Sequence, residues 1–395
     1  MAAMNIDETF VEVECCQRIK DGESVCGDDF KSVRLENEDR VIAVLSDGLG
    51  SGIKASLLST MTTTMALEFI ARNMEILQSA EIIMDTLPVC EYRKISYATF
   101  TIVDVLSGGK IRTIEMDNPP LIHLRNGRDL QWEKQSLVSA RWPDRKLAVA
   151  EFRAVPGDRI IFCSDGVTQA GLGHAPFKFG WRREGLLAFV QEAVARQPQI
   201  SARELSQMVV AQACMKNPNY SCIDDISCVV IYFRRPRRLR LLTGPPFKKE
   251  NDRDFAEMVE SFDGKVIISG GTTANIVSRE LRREITTDWK QLGGGLPPTS
   301  KMKGVDLVTE GILTLTEVAR ALDGDCKARN LPAVRQIMTL LAESDVIELI
   351  VGTKVNEAHQ DPNLPVDLEI RRNIVKRLKQ LLEEKYRKKV YIKYF

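Results

Sequence analysis

Acidic residues stand repeatedly where apolar runs begin or end. Asp47 and Gly48 follow the run Val41–Leu45, Asp165 and Gly166 follow Arg159–Phe162, and Asp224 and Asp225 precede Ser227–Phe233. Upstream, Asp28 and Asp29 follow Gly27. Carboxylates gathered at strand ends repel one another unless a cation or a proton neutralises them. Hard divalent cations such as magnesium or manganese take oxygen ligands and retain several waters. The pattern therefore fits a metal centre built from the edges of neighbouring strands, with a glycine carbonyl as a further oxygen donor. Gly48, Gly50 and Gly52 would let backbone approach whatever Asp47 holds. Taken alone, the same stretch is served equally well by turn chemistry, with Ser51 capping the next helix.

The elements that must position these residues alternate between short apolar runs and a few helices. Strands are expected at Thr9–Glu14, Ser32–Glu36, Val41–Leu45, Ala98–Val105, Ile111–Met116, Leu121–Leu124, Leu147–Phe152, Arg159–Phe162 and Ser227–Phe233. Helical periodicity covers Ile53–Arg72, Ser79–Cys90, Glu184–Ala195 and Ser201–Met215. Consecutive strands with helices gathered in pairs indicate a layered α+β fold over residues 1–233. Residues 234–254 hold five arginines in their first seven positions and three prolines, which reads as a basic linker. Residues 255–395 return to alternating helix and strand, a smaller α/β domain.

Composition excludes several classes. Lys and Arg number 55 against 54 Asp and Glu, so no overall charge favours nucleic acid or a membrane surface. No apolar run is long enough to span a bilayer, and the acidic start, with Asp7, Glu8, Glu12 and Glu14, lacks the layout of a signal peptide. Nine cysteines without C-x-x-C spacing, among them Cys163, Cys222 and Cys228 in apolar surroundings, read as reduced thiols of a cytoplasmic protein. Three scattered histidines offer no histidine-based metal site.

Together, "CGDDF", "SDGLGSG", "CSDGVTQAG" and "DDISCVVI", in this order and with "YATFTIVDVLSGG" and "DNPPLIHLRNG" between them, resemble the metal-dependent protein serine/threonine phosphatases. The likeness is to their bacterial SpoIIE-type branch and covers about residues 9–233. It implies an α-β-β-α sandwich with two divalent cations, manganese or magnesium, that activate a water for attack on phosphoserine or phosphothreonine. By position, Asp47 matches the ligand shared by both metals and Gly48 the carbonyl donor. Asp28 matches the upstream ligand, and Asp165 and Asp224 the downstream ones. Asp47, Asp165 and Asp224 are thus the expected catalytic set. Asp225 stands where many relatives carry Asn and Asp29 where the branch commonly has a small polar residue; both are expected to support the ligands. The arginine that cradles phosphate in eukaryotic relatives has no clear counterpart upstream of Asp28, where Arg18 and Lys20 are the candidates. The segment "GLGHAPFKFGWRREG" resembles the variable flap, in which Phe177 and Trp181 either meet substrate or pin a surface loop. The relatives' substrates imply a phosphoprotein partner such as an anti-sigma-antagonist domain, and neither nucleic acid nor membrane.

The second domain matches no family by its motifs. "GKVIISGGTTANIVSRE" reads as a strand, a Gly-Gly turn and a Thr-capped helix. Gly270, Gly271, Thr272 and Thr273 are therefore a candidate site for a small anionic effector, with a plain helix cap as the alternative. Gly352-Thr353 is a second turn that would face it. The helix near 366–385 carries Ile370, Ile374, Leu378, Leu381 and Leu382 on one side, a core-facing stripe or a homodimer contact. Two other functions compete with the phosphatase: a non-catalytic signalling scaffold, disfavoured by the intact carboxylate set, and a small phosphate-ester hydrolase using the second domain.

Overall fold

The computed structural model describes residues 9–35, 38–87, 98–287, 295–353, 364–386 and 388–395. Its chain divides into two compact units, Met1–Arg235 and Pro236–Phe395.

The first unit runs β1 (Phe10–Arg18), β2 (Asp28–Leu35), β3 (Arg40–Gly48), α1 (Gly52–Ala71), α2 (Ile76–Thr86), β4 (Ala98–Val105), β5 (Lys110–Met116), β6 (Ile122–Arg125) and β7 (Arg128–Asp129). It continues through β8 (Gln135–Val138), β9 (Lys146–Arg153), β10 (Arg159–Cys163), α3 (Asp165–Thr168), α4 (Arg182–Arg196), α5 (Ala202–Lys216) and β11 (Ile226–Arg234). The strands form two sheets, of order β1-β11-β10-β6-β7 and β2-β3-β4-β5-β9-β8. Side chains alternate across a strand, and β3 shows what each face meets. Val41, Ala43 and Leu45 pack against Ile160, Phe162, Val229 and Ile231 of the other sheet. Ile42 and Val44 turn the opposite way, onto Ala66, Ile70 and Ile83 of α1 and α2. On the far side, Cys228, Val230 and Tyr232 of β11 meet Leu186, Val190, Leu205 and Val209 of α4 and α5. The unit is the expected α-β-β-α sandwich. A strand covered on both faces reads as a continuous apolar run, which is why β3 is so legible.

Helix α1 departs from its expected pattern. Ile53 and Leu57 are 76% and 55% exposed, while the buried face carries Ser59, Thr62 and Thr63 beside Ala55, Leu58, Ala66 and Ile70. The hydroxyls are buried at little cost because they are hydrogen-bonded, Thr62 Oγ1 donating to the Leu58 carbonyl at 2.8 Å.

The second unit contains β12 (Arg238–Thr243), α6 (Asp252–Glu260), β13 (Lys265–Ser269), α7 (Gly271–Leu281), β14 (Ile285–Thr287), β15 (Ser300–Met302), β16 (Val305–Thr309) and α8 (Ile312–Asp323). After these come α9 (Cys326–Arg329), α10 (Pro332–Glu343), β17 (Val346–Val351), α11 (Leu364–Glu384) and β18 (Lys389–Tyr394). Its sheet has the order β14-β15-β16-β13-β12-β17-β18, with β16, β13, β12, β17 and β18 parallel. The chain winds outward from β12 to one side and then to the other, a doubly wound arrangement. Helices α6 and α7 cover one face; α8, α10 and α11 cover the other.

Two expectations are corrected here. Arg238–Thr243, inside the stretch whose composition reads as a linker, form the strand at the centre of this sheet. Leu239 and Leu241 are buried, while Arg240 is held by Glu348 at 2.9 Å and lies over the Phe262 ring. Gly352-Thr353 does not face Gly270–Thr273, because β12 separates β13 from β17. On α11, Leu378, Leu381 and Leu382 enter the core as a core-facing stripe requires, whereas Ile370 is exposed. Among the described residues no helix is long and apolar enough to cross a membrane.

Candidate metal centre

The antiparallel register of β2 and β3 sets Asp28 directly across from Asp47 at the strand ends. Asp165 opens α3 where β10 ends, and Asp224 and Asp225 lie just before β11, the neighbour of β10. The two sheets thus bring their acidic ends to one place, and each carboxylate has its own support. Ser227 Oγ donates to Asp28 Oδ2 at 2.5 Å. Gln169 Nε2 donates to Asp165 Oδ2 at 2.7 Å, and the Asp225 amide donates to Asp224 Oδ1 at 3.0 Å.

The Asp-Gly pairs have a steric reason. A Cβ on Gly48 would lie 2.0 Å from the Ala55 carbonyl oxygen, and one on Gly166 would lie 2.1 Å from that of Asp225. Glycine at 48 therefore lets the first turn of α1 close onto the end of β3; the close approach is made by the protein's own helix. Gly50 and Gly52 adopt φ of 104° and 67°, the left-handed region that suits glycine. Ser51 is the N-cap residue of α1 but makes no side-chain cap bond.

Electrostatics bind the carboxylates into one group. Burial pushes Asp47 up to about 9, and the charges of Asp28, Asp165 and Asp224 push it the same way. Asp28 rises to about 7, chiefly through burial, with the Ser227 and Ser164 hydroxyls opposing the shift and Asp225 and Asp224 adding to it. Asp165 and Asp224 are also raised, burial being the first cause for each. No group of three or more His, Cys, Asp or Glu among the described residues closes into an arrangement that could hold a metal ion. The carboxylates thus feel one another without forming a finished cage: a proton relieves their repulsion, and Asp47 and Asp165 share a side-chain hydrogen bond.

Asp225 and Asp29 are placed differently from the other four. Asp225 is 4% exposed and uses both oxygens on backbone, accepting from the Lys20 amide at 3.0 Å and the Gly27 amide at 2.9 Å. It ties the β1–β2 loop to the base of β11, next to Asp28. Asp29 points to the other face of β2 and accepts from Thr63 Oγ1 of α1. For a cation held by Asp224, Asp225→Asn should weaken manganese affinity by roughly 10–100-fold, the usual effect of disturbing a residue that orients a ligand. Manganese titration of Asp224→Asn and Asp225→Asn checks this; binding lost in Asp225→Asn and kept in Asp224→Asn means their roles are exchanged.

The other expected residues divide. Lys20 gives its backbone amide to Asp225 and its charge partly offsets the rise of Asp224, whereas the Arg18 side chain stands 3.6 Å from Asp21. Trp181 is buried in the α4–α5 core, and Lys216 lies over the rings of Trp181 and Phe177; both aromatics pin their loop, leaving Phe179, 72% exposed, as its outward ring. His123 is fully buried between Asp158 and Trp132, whose Nε1–H donates to Nδ1 at 2.9 Å. Of the cysteines, the described ones are all free thiols. Sequence reasoning misses Ser164 and Ser227, although each flanks an acidic motif. The Ser164 hydroxyl accepts from the Ser227 amide at 3.0 Å, joining β10 to β11 behind Asp28.

The family model of Stage II sporulation protein E, SpoIIE, matches residues 37–234. No curated protein matches the chain. Among solved structures, the phosphatase domain of the cell fate determinant SpoIIE from Bacillus subtilis is similar at 16% identity and a TM-score of 0.44, over 58% of this chain and 94% of that one. The SiaA-PP2C domain of Pseudomonas aeruginosa gives 18% identity and a TM-score of 0.42, over 56% and 85%. The catalytic domain of the serine threonine protein phosphatase PstP, in complex with two manganese ions, gives 13% and 0.38, over 57% and 99%.

Proposed function

We propose, because this chain belongs to the SpoIIE family, that it is a metal-dependent protein phosphatase that hydrolyses phosphoserine or phosphothreonine on a signalling protein. The observation that carries this reading is the pairing of Asp28 with Asp47 across β2 and β3, where burial first, and then the charges of Asp28, Asp165 and Asp224, push Asp47 up to about 9. Four carboxylates, Asp28 buried and Asp47, Asp165 and Asp224 half-buried, are the donor set a hard divalent cation would relieve. The residues therefore fit manganese or magnesium. Asp47, Asp28, Asp165 and Asp224 would hold two such ions, with the Gly48 carbonyl as a further donor. Bound there, the ions supply Lewis acidity toward phosphoryl oxygens and make a water acidic enough to attack at neutral pH.

The chain's own contribution is to fix this donor set before substrate arrives. Ser227 and Ser164 hold Asp28, Gln169 and the Gly166 amide hold Asp165, and the Asp225 amide holds one oxygen of Asp224, so each carboxylate is fixed in direction. The substrate class, a small phosphorylated domain of the anti-sigma-antagonist kind, follows from the sequence resemblance. The test is release of phosphate from a phosphoserine-bearing domain of that kind in manganese, with loss of activity on chelation. Equal activity in excess EDTA would contradict the reading.

A stability measurement checks the electrostatic half. In metal-free protein near neutral pH, folding must protonate Asp47, whose carboxyl is pushed up to about 9, so Asp47→Asn, which needs no proton, should raise the melting temperature of the first unit. A gain of ~1 kcal/mol corresponds to roughly 2–4 °C in a unit of this size. Added manganese should stabilise the natural chain and leave Asp47→Asn nearly unchanged.

A further inference from the structure

The second unit contains a place where two helices begin side by side with no side-chain cap among the described residues. Strands β13 and β16 are parallel neighbours, Ser269 pairing with Thr309, and each turns at once into a helix. The N-cap residues are Gly270 for α7 and Gly311 for α8, and neither helix has a side-chain cap; the expected Thr cap is absent. The glycines lie back to back, since a Cβ on Gly311 would come within 3.5 Å of the Gly270 Cα. The first helical carbonyl bonds are made by Ala274 to Gly270 and by Leu315 to Gly311. The amides of the residues between are the first-turn N–H groups that no helix carbonyl takes.

A second observation points to a ligand. Each helix carries threonine at its third position, Thr273 and Thr314, which are 1% and 0% exposed. Among the described residues neither hydroxyl has a hydrogen-bond partner. Buried hydroxyls are ordinarily paired, and an unpaired one is costly. The Thr273 hydroxyl is turned back toward the N-cap, 3.2 Å from where a Gly270 Cβ would be, the place a capping side chain would occupy. Beside it, Glu310 has a buried carboxylate oxygen, also unpartnered.

The crevice that a doubly wound sheet usually offers, between β12 and β17, is closed here. A Cβ on Gly352 would lie 2.1 Å from the Pro245 carbonyl oxygen, so backbone meets backbone. The paired helix ends are one step to the side of it.

We propose that this second unit binds a small phosphomonoester whose phosphate lies at the joint N-terminus of α7 and α8. The helix amides and dipoles favour the anion, and the Thr273 and Thr314 hydroxyls donate to its oxygens. Glu310 opposes a bare dianion, so the ligand brings a hydroxyl or ammonium group beside its phosphate to meet that carboxylate. This site is independent of the phosphatase reading.

The experiment is thermal melting of the full chain in EDTA, titrated with inorganic phosphate against chloride at equal ionic strength. Phosphate is expected to raise the melting temperature of the natural chain and of Asp165→Asn alike. The Thr273→Val/Thr314→Val double variant should lose that rise while melting no lower in chloride, because valine replaces hydroxyls that have no partner. If that variant fails to fold, Gly271→Asp serves instead: its Cβ position has no neighbour within 4 Å, and its carboxylate would occupy the anion's place. Glycerol 3-phosphate should act at lower concentration than phosphate, through its hydroxyl to Glu310. No rise in the natural chain, or an equal rise in the variants, overturns the site. A phosphoserine peptide that acts where glycerol 3-phosphate does not overturns its assignment to a small molecule.

Discussion

Asp165→Asn is expected to abolish manganese-dependent hydrolysis of p-nitrophenyl phosphate, and Asp47→Asn and Asp224→Asn to do the same. The loss should exceed the ~10–100-fold typical of residues that only orient a ligand. Amide keeps the shape of each side chain and removes the charge that would hold a cation. The fold should survive, since the Asp165 side chain bonds to Asp47, the Gly166 amide and Gln169 Nε2, contacts that an amide can keep, and burial is the first cause of its raised protonation. Circular dichroism and melting of each variant separate lost chemistry from lost structure. Full activity in Asp165→Asn, with ordinary metal dependence, would remove it from the centre.

The largest structural effect is expected at the other end of β3. Arg40 and Asp104 are 2% and 0% exposed and form a two-pronged pair, Nε to Oδ1 at 2.8 Å and Nη2 to Oδ2 at 2.9 Å. Arg112 also donates to Asp104, at 2.8 Å. Arg40 further holds the C-terminal end of α1, donating to the Ile70 carbonyl at 2.8 Å and to Asn73 Oδ1 at 2.9 Å. The other end of α1 closes onto Gly48, so this network helps fix the helix that borders Asp47. Asp104→Ala leaves the buried guanidinium with only the exposed Glu38, 3.3 Å from Nη1, as a carboxylate partner and should cost ~3–5 kcal/mol. That lowers the melting temperature of the first unit by roughly 6–20 °C. An Arg40→Met/Asp104→Leu pair should recover most of the loss, because it removes both charges. A single-variant loss under about 1 kcal/mol would mean that water screens the pair as it does at a surface.

The carboxylate positions were legible because strand-ending Asp-Gly pairs are local features. So was Ala98–Val105, whose bounds match β4, an internal strand covered on both faces. What joins those positions is not local. That Asp28 stands opposite Asp47 depends on the register of β2 with β3, and that Asp165 and Asp224 join them depends on how two sheets stack. Strand β12 escaped detection because Arg238 and Arg240 alternate with Leu239 and Leu241 beside prolines. Only the Glu348 partner on β17 shows why an arginine is tolerated mid-sheet. Helix α1 misled in the opposite sense, since its threonines are inward and Ile53 is outward. In the second unit the Gly-Gly turn was visible, but its true neighbour, Gly311, was not, because parallel neighbours far apart in the chain leave no shared sequence pattern.

The central claim is that Asp28, Asp47, Asp165 and Asp224 together hold divalent cations. Titrating the full chain with manganese while following the electron paramagnetic resonance signal of the free ion tests it most directly. The account expects two ions bound per natural chain, with the tight binding lost in Asp47→Asn, whose folded state is checked in the same samples. Manganese bound with the same stoichiometry and affinity by Asp47→Asn, or none bound by a natural chain that still hydrolyses phosphoserine, would contradict it.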